Sequence, residues 1–218
     1  KQVEESLLSI GIKNVKIVYN PLCIKKCNDN LLLPKHYFVS IGRLSYQKAH
    51  WKLIKAISIL KTKYKKIIHC VIVGDGELLE QAKKLSNALG VEDFIHFTGY
   101  IENPYLIIKN AYCMIFTSYF EGFPITVLEA FHCNTPVIGA KVAIPDEIRK
   151  EIAYSDFYYQ NQNMAENFQS STFEEDDYTI ANIILKAIDS KTALNFIAKK
   201  GNKWVSENCS LSNFENYN

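Results

Sequence analysis

Two acidic and two basic side chains give this chain its chemical character. Glu121 and Glu129 stand eight residues apart in the run Ser118-Tyr119-Phe120-Glu121-Gly122-Phe123-Pro124-Ile125-Thr126-Val127-Leu128-Glu129-Ala130. Gly122 lets a ligand come close to the backbone. Pro124 suits the first position of a helix, where its missing N–H costs nothing. A helix begun there leaves the N–H groups near Ile125, Thr126 and Val127 free to hold a phosphate. An ionised carboxylate accepts from two neighbouring hydroxyls, as on a ribose or hexose, so acids on either side of such a site suit hydroxyl-bearing groups. Chance also places glutamates eight apart, and a helix start favours Glu in any case. The position after a buried strand and across a helix start favours the functional reading.

The basic pair lies in Gly42-Arg43-Leu44-Ser45-Tyr46-Gln47-Lys48. Arg43 and Lys48 bracket the start of a helix, where a cation opposes the helix dipole. An anion held between them would reverse that cost, and Arg grips phosphate through two parallel hydrogen bonds. The plainer alternative is a pair of solvated surface cations. Only two arginines occur, Arg43 and Arg149, among 25 basic residues. Two glycine turns complete the set. Val73-Gly74-Asp75-Gly76-Glu77 joins a strand to a helix and lacks the third glycine of a dinucleotide fingerprint, so it does not support NAD. Gly74 can admit a ligand, while Asp75 or Glu77 can simply cap the helix. Phe97-Thr98-Gly99-Tyr100-Ile101 ends another strand and can wall a base pocket, or merely close the core.

These runs need elements to hold them. Apolar β-rich segments at Val15–Tyr19, Tyr37–Ile41, Ile67–Val73, Phe94–Thr98, Tyr112–Thr117 and Pro136–Gly139 read as strands. Helical patterns at Lys48–Lys61, Glu77–Leu89, Asn103–Asn110, Pro124–Cys133, Tyr178–Ser190 and Thr192–Asn208 alternate with them. Ala153–Asp177 is polar and weakly patterned. Such alternation predicts an α/β, Rossmann-like parallel sheet with helices on both faces, which binds ligands at the carboxyl ends of its strands.

The bulk properties narrow the function. The chain has 218 residues, 48% hydrophobic and 22% charged, with a net charge of +2. That balance is too mild for nucleic acid as a partner. No apolar run reaches the length of a membrane span. The six cysteines are scattered. Cys70, Cys113 and Cys133 sit in apolar stretches that predict burial, and Cys23 and Cys27 have no second Cys/His pair at zinc spacing. This usage suits a reducing cytoplasm. The opening Lys1-Gln2-Val3 is neither a Met start nor a leader, which predicts a fragment of something longer.

Taken together, the four runs resemble the donor domain of the group 1, family 4-like retaining glycosyltransferases, the C-terminal half of a GT-B fold. The resemblance covers about residues 15–148. The family pattern is GR(L)-x-x-x-K-G at a strand end, then V-G-x-G, then F-x-G, then E-x7-E enclosing G-F-P. It appears here as Gly42-Arg43-Leu44 with Lys48, Gly74-Asp75-Gly76, Phe97-Thr98-Gly99, and Glu121 through Glu129. The resemblance implies that Arg43 and Lys48 hold the donor diphosphate and stabilise it as it leaves. It gives Glu121 the transferred sugar. The backbone at Gly42, Gly74 and Gly122-Phe123-Pro124-Ile125-Thr126-Val127 would line the donor site, Glu129 would take the ribose, and Tyr100 and Ile101 would meet the base.

It further implies a nucleotide-diphosphate sugar as donor, UDP by default, with no cofactor and no metal. A sugar or lipid-linked acceptor would bind through a separate N-terminal domain. The setting would be cell-surface polysaccharide or lipopolysaccharide synthesis, cytoplasmic or peripheral on the inner membrane face. Residues 1–34 would be connector and first strand region, 35–208 the nucleotide-sugar domain, and 209–218 the start of a crossover helix, so the fragment alone would transfer little. Two departures stand out: Ala49 where the family often has Gly, and Val142-Ala143-Ile144-Pro145-Asp146-Glu147 where it has a glycine-rich segment. A sugar-nucleotide epimerase of related fold and a non-catalytic nucleotide-binding module are the other readings of the same residues.

Overall fold

The computed structural model describes residues 7–12, 19, 22, 32–152, 154–161 and 173–210. Six strands form one sheet: β1 (Tyr37–Ile41), β2 (His69–Val73), β3 (Ile95–Gly99), β4 (Cys113–Phe116), β5 (Val137–Ala140) and β6 (Tyr158–Tyr159). They lie in the order β3-β2-β1-β4-β5-β6, and every pairing is parallel. The helices between and after them are α1 (His50–Thr62), α2 (Leu79–Ala88), α3 (Tyr105–Asn110), α4 (Ile125–His132), α5 (Asp146–Ile152), α6 (Glu175–Asp189) and α7 (Lys191–Asn208).

The chain order reverses direction between β1 and β4. A doubly wound sheet binds ligands in the crevice at the carboxyl ends of the strands that flank such a reversal. All residues of β1, β4 and β5 are buried, as continuous apolar runs in a parallel sheet require. β3 is an edge strand, with only Ile95 buried. Helices pack in two groups, α1 with α2 and α6, and α7 with α4 and α5. This is the expected Rossmann-like architecture.

Three local differences have physical causes. The polar stretch that carried no clear pattern holds the two-residue β6 and the first turn of α6. That turn is acidic, and it starts the helix through a reciprocal cap in which Glu174 and Asp177 side chains take each other's backbone N–H groups. Pro124 is the N-cap of α4 rather than its first residue, with ψ 111°. Cys70 and Cys113 are buried as expected, but Cys133 is only half-buried, at the C-cap of α4. The strand at Val15–Tyr19, the Cys23 and Cys27 pair and the tail beyond residue 210 lie outside the described residues, apart from Tyr19, whose ring stacks on Phe123 at 5.6 Å.

Candidate donor-binding site

The crevice is built by loops that hydrogen-bond to one another. Backbone bonds from Gly42 N–H to Val73 O, Leu44 N–H to Asp75 O and Leu78 N–H to Leu44 O tie the β1 loop to the β2 loop. Gly74 N–H donates to Gly99 O, which brings in the loop after β3. Across the switch point, Tyr119 N–H donates to Gln47 O at 2.9 Å, and Thr117 Oγ1 donates to Lys48 O at 2.8 Å. The Gln47 amide donates to Phe120 O at 2.8 Å. All four runs singled out in the sequence therefore meet at one end of the sheet.

At their centre, Lys48 Nζ donates to Glu121 Oε1 at 2.6 Å, with the carboxylate side chain only 6% exposed. The lysine stem lies over Gly42, where an added Cβ would stand 3.1 Å from Lys48 Cε. Gly122 is different in kind. A Cβ there would meet nothing within 4 Å, and its φ is not among the positive ones. Neither backbone conformation nor protein packing calls for glycine at 122.

Gly74 has a structural reason of its own: its φ is +139°, and a Cβ would fall 2.1 Å from Gly42 O, so its missing side chain admits the neighbouring loop. Arg43 and Lys48, the cations expected to hold a diphosphate, both have carboxylate partners within the protein. Arg43 Nε donates to Glu77 Oε2 at 3.1 Å, an exposed pair worth little by itself, and Lys48 holds Glu121. The protein itself supplies carboxylates to both cations, although an ammonium has three donors and can serve a phosphate as well. Nor do Asp75 and Glu77 cap α2, whose N-cap is Leu78. Asp75 instead accepts from Gly76 N–H at 2.7 Å.

At α4, the Val127 N–H is taken by Pro124 O at 3.1 Å. That leaves Ile125 and Thr126 as the N–H groups without an intrahelical partner, not the three expected. Glu129 lies half-buried on the same helix, and burial raises its carboxyl above the usual range. Tyr100 is 75% exposed and Ile101 half-buried beyond β3. Ala49, at the family's glycine position, is the N-cap of α1 with φ 48° and ψ 40°. This is the left-handed region that glycine adopts freely and that costs other residues about 1–2 kcal/mol.

Two buried lysines carry no signal in the sequence. Lys52 and Lys55 sit in α1, which is buried from His50 to Leu60. Lys52 Nζ meets Asp176 Oδ2 at 2.5 Å, and Lys55 Nζ lies 3.9 Å from Asp177 Oδ2. The helix pattern showed one apolar face. Only the docking of α6 reveals that the lysine face is covered too.

His50, two residues beyond Lys48, is buried, and its Nδ1 has no hydrogen-bond partner among the described residues. Burial, reinforced by the Lys48 charge, lowers its imidazole from 6.5 to about 4. The fold thus keeps His50 neutral. The corresponding stability is complete above pH 6.5 and is lost as pH falls toward 4, about 3 kcal/mol in all. Asp177 works in the opposite sense. Burial outweighs the Glu174 N–H and Lys55 and raises its carboxyl from 3.8 to about 6, so its contribution is complete below pH 3.8 and is lost as pH rises through 6. The two nearly cancel across the same window. His50→Gln therefore gains about 3 kcal/mol relative to wild type between pH 6.5 and pH 4. Urea denaturation at both pH values measures the difference, and a constant gap would mean that His50 is not held neutral.

Comparison with known proteins decides the family. Residues 28–169 match the family model described as Glycosyl transferases group 1. The chain belongs to the group 1 glycosyltransferases. The capsular polysaccharide biosynthesis glycosyltransferase CapH of Staphylococcus aureus is 28% identical over 188 residues, covering 84% of this chain and 48% of CapH. An N-acetylgalactosaminyltransferase of Campylobacter jejuni that acts on a diphospho-undecaprenol-linked sugar is 31% identical over 134 residues, 60% of this chain and 36% of that protein. This group 1 chain thus spans about half, or less, of the length of these curated relatives.

Solved structures share the fold at lower identity. TarM superposes with a TM-score of 0.73 at 17% identity, over 100% of this chain and 41% of TarM. Anabaena HepE in complex with UDP and glucose gives 0.65 at 19% identity, over 84% of this chain and 47% of HepE. The GT-B glycosyltransferase fold is shared in each case. No helix among the described residues is long and apolar enough to cross a membrane, and no cluster of three or more His, Cys, Asp or Glu residues among them is suited to a metal ion.

Proposed function

We propose that this chain is the donor-binding half of a glycosyltransferase that takes a nucleotide-diphosphate sugar and transfers the sugar with retention of configuration. The observation that carries this reading is the Lys48–Glu121 pair at the β1/β4 crevice, beside the open start of α4. Lys48 reaches the diphosphate with a donor not used by Glu121. Arg43 leaves its exposed partner Glu77 to join it, and the Ile125 and Thr126 N–H groups take the remaining oxygens. These cations and N–H groups stabilise negative charge as it grows on the leaving diphosphate. Glu121 accepts from sugar hydroxyls, and Glu129 from the ribose. Gly122, which nothing among the described residues requires, leaves space for the sugar.

Tyr100 and Ile101 border the base, and UDP is the nucleotide suggested by complexes such as that of HepE. No metal or cofactor enters this scheme. The acceptor, a sugar or lipid-linked sugar, docks on a second domain, and the 218 residues alone transfer little. Polysaccharide, capsule or lipopolysaccharide assembly fits relatives such as CapH, and the proposed setting is the cytoplasmic side of a membrane. Turnover of the donor to an epimer without nucleotide release would favour the epimerase reading.

Calorimetry of the chain against UDP, GDP and ADP tests the site. Lys48→Ala and Arg43→Ala each lose about 1.5–3 kcal/mol of nucleoside diphosphate affinity, the range for hydrogen bonds to charged groups. Unchanged affinity in both variants would remove the two cations from the site.

A further inference from the structure

We propose that Lys52 is a positioning residue for the turn that carries Glu121; the inference rests on the donor-site reading above. Its side chain is 1% exposed, in a helix whose neighbouring positions Leu53 and Ile54 are wholly apolar and buried. An ammonium is costly there, and an apolar residue of similar size would serve stability as well or better.

The contacts explain what the charge does. Lys52 Nζ binds Asp176 Oδ2 of α6 at 2.5 Å and Asn161 Oδ1 at 3.3 Å, and it lies 4.3 Å from the centre of the Tyr119 ring. With its oxygen facing the ammonium, the Asn161 amide turns its Nδ2 to Ser118 O, at 2.7 Å. Only this orientation satisfies both neighbours, since an ammonium cannot accept and a carbonyl cannot donate. The ammonium therefore holds Ser118 through Asn161 and Tyr119 through its ring. These residues lie just before Phe120 and Glu121. From the other side Gln47 O takes the Tyr119 N–H, one residue before Lys48. The turn before Glu121 is thus held from two sides, by Lys52 of α1 and by Gln47 ahead of that helix, and the geometry of the Lys48–Glu121 contact depends on a residue outside that pair.

Two variants separate positioning from support of the fold. Asn161→Ala leaves the Lys52–Asp176 pair in place but frees Ser118. Lys52→Met with Asp176→Leu removes both buried charges together and so spares stability. Each is titrated with UDP and with whichever of UDP-glucose, UDP-galactose and UDP-N-acetylglucosamine the wild-type chain binds most tightly. Melting temperatures are recorded alongside. Both variants are expected to melt close to wild type and to keep UDP affinity, but to bind the UDP-sugar about tenfold more weakly, because a misplaced Glu121 affects only the sugar. Equal loss of UDP and UDP-sugar would show general disruption and overturn the inference, as would unchanged affinity for both. A wild-type chain that binds no nucleotide would overturn the donor site and this inference with it.

Discussion

Asp177→Ala is expected to destabilise the chain by about 3–5 kcal/mol, the cost of leaving a buried partner charge alone. Lys55 is 1% exposed, and Asp177 is its carboxylate partner at 3.9 Å. The same carboxylate accepts from Glu174 N–H at 2.8 Å, so the start of α6 frays as well. Its Oδ1 has no partner among the described residues, and burial already holds its pKa at about 6. The pair is therefore not a source of net stability. Lys55→Met with Asp177→Asn keeps the acceptor for Glu174 and removes both charges. That double variant is expected to be as stable as wild type, or more stable by about 1–4 kcal/mol. Urea denaturation followed by circular dichroism reads both. A strongly destabilised double variant would show that the charges attract more than burial costs them, and a mild single variant would show that Lys55 is not left uncompensated.

Gly74→Ala should cost about 3 kcal/mol or more, combining a glycine-only backbone region with an overpacked contact. The clash is with a backbone carbonyl, Gly42 O, at 2.1 Å, and a flexible side chain cannot absorb it. Relief requires the β1 loop to move away from the β2 loop. That loop carries Arg43 and Lys48, so nucleoside diphosphate affinity should fall with stability. Gly122→Ala provides the contrast. It meets no atom within 4 Å, so it should leave the melting temperature nearly unchanged and weaken sugar-nucleotide binding alone. A Gly74→Ala protein with wild-type stability would mean that the two loops are not in close contact.

The strand ends and the motif runs were legible because they depend on short-range chemistry. An apolar run bounded by Gly42 carries its own signal. The basic run and the two-glutamate run could be found separately for the same reason. Their meeting was not legible. Lys48 and Glu121 are 73 residues apart, and nothing local states that Gln47 and Tyr119 bond across the switch point. Glycines illustrate the limit well. Gly74 and Gly122 look alike in the sequence, yet one is required by a neighbouring carbonyl and the other by nothing among the described residues.

Residue type and spacing alone pointed to a Rossmann-like α/β chain with helices on both faces of a parallel sheet, and to two acids and two bases in runs that follow its strands. Tertiary structure decided which acid holds which base, that α1 is covered on its lysine face as well as its apolar one, and that α6 closes over Lys52 and Lys55. Hydrophobic periodicity and turn preference act over a few residues and survive in the one-dimensional pattern. Burial of charge and the partner chosen for it are set by distances between segments far apart in the chain, which appear only once the sheet has brought them together.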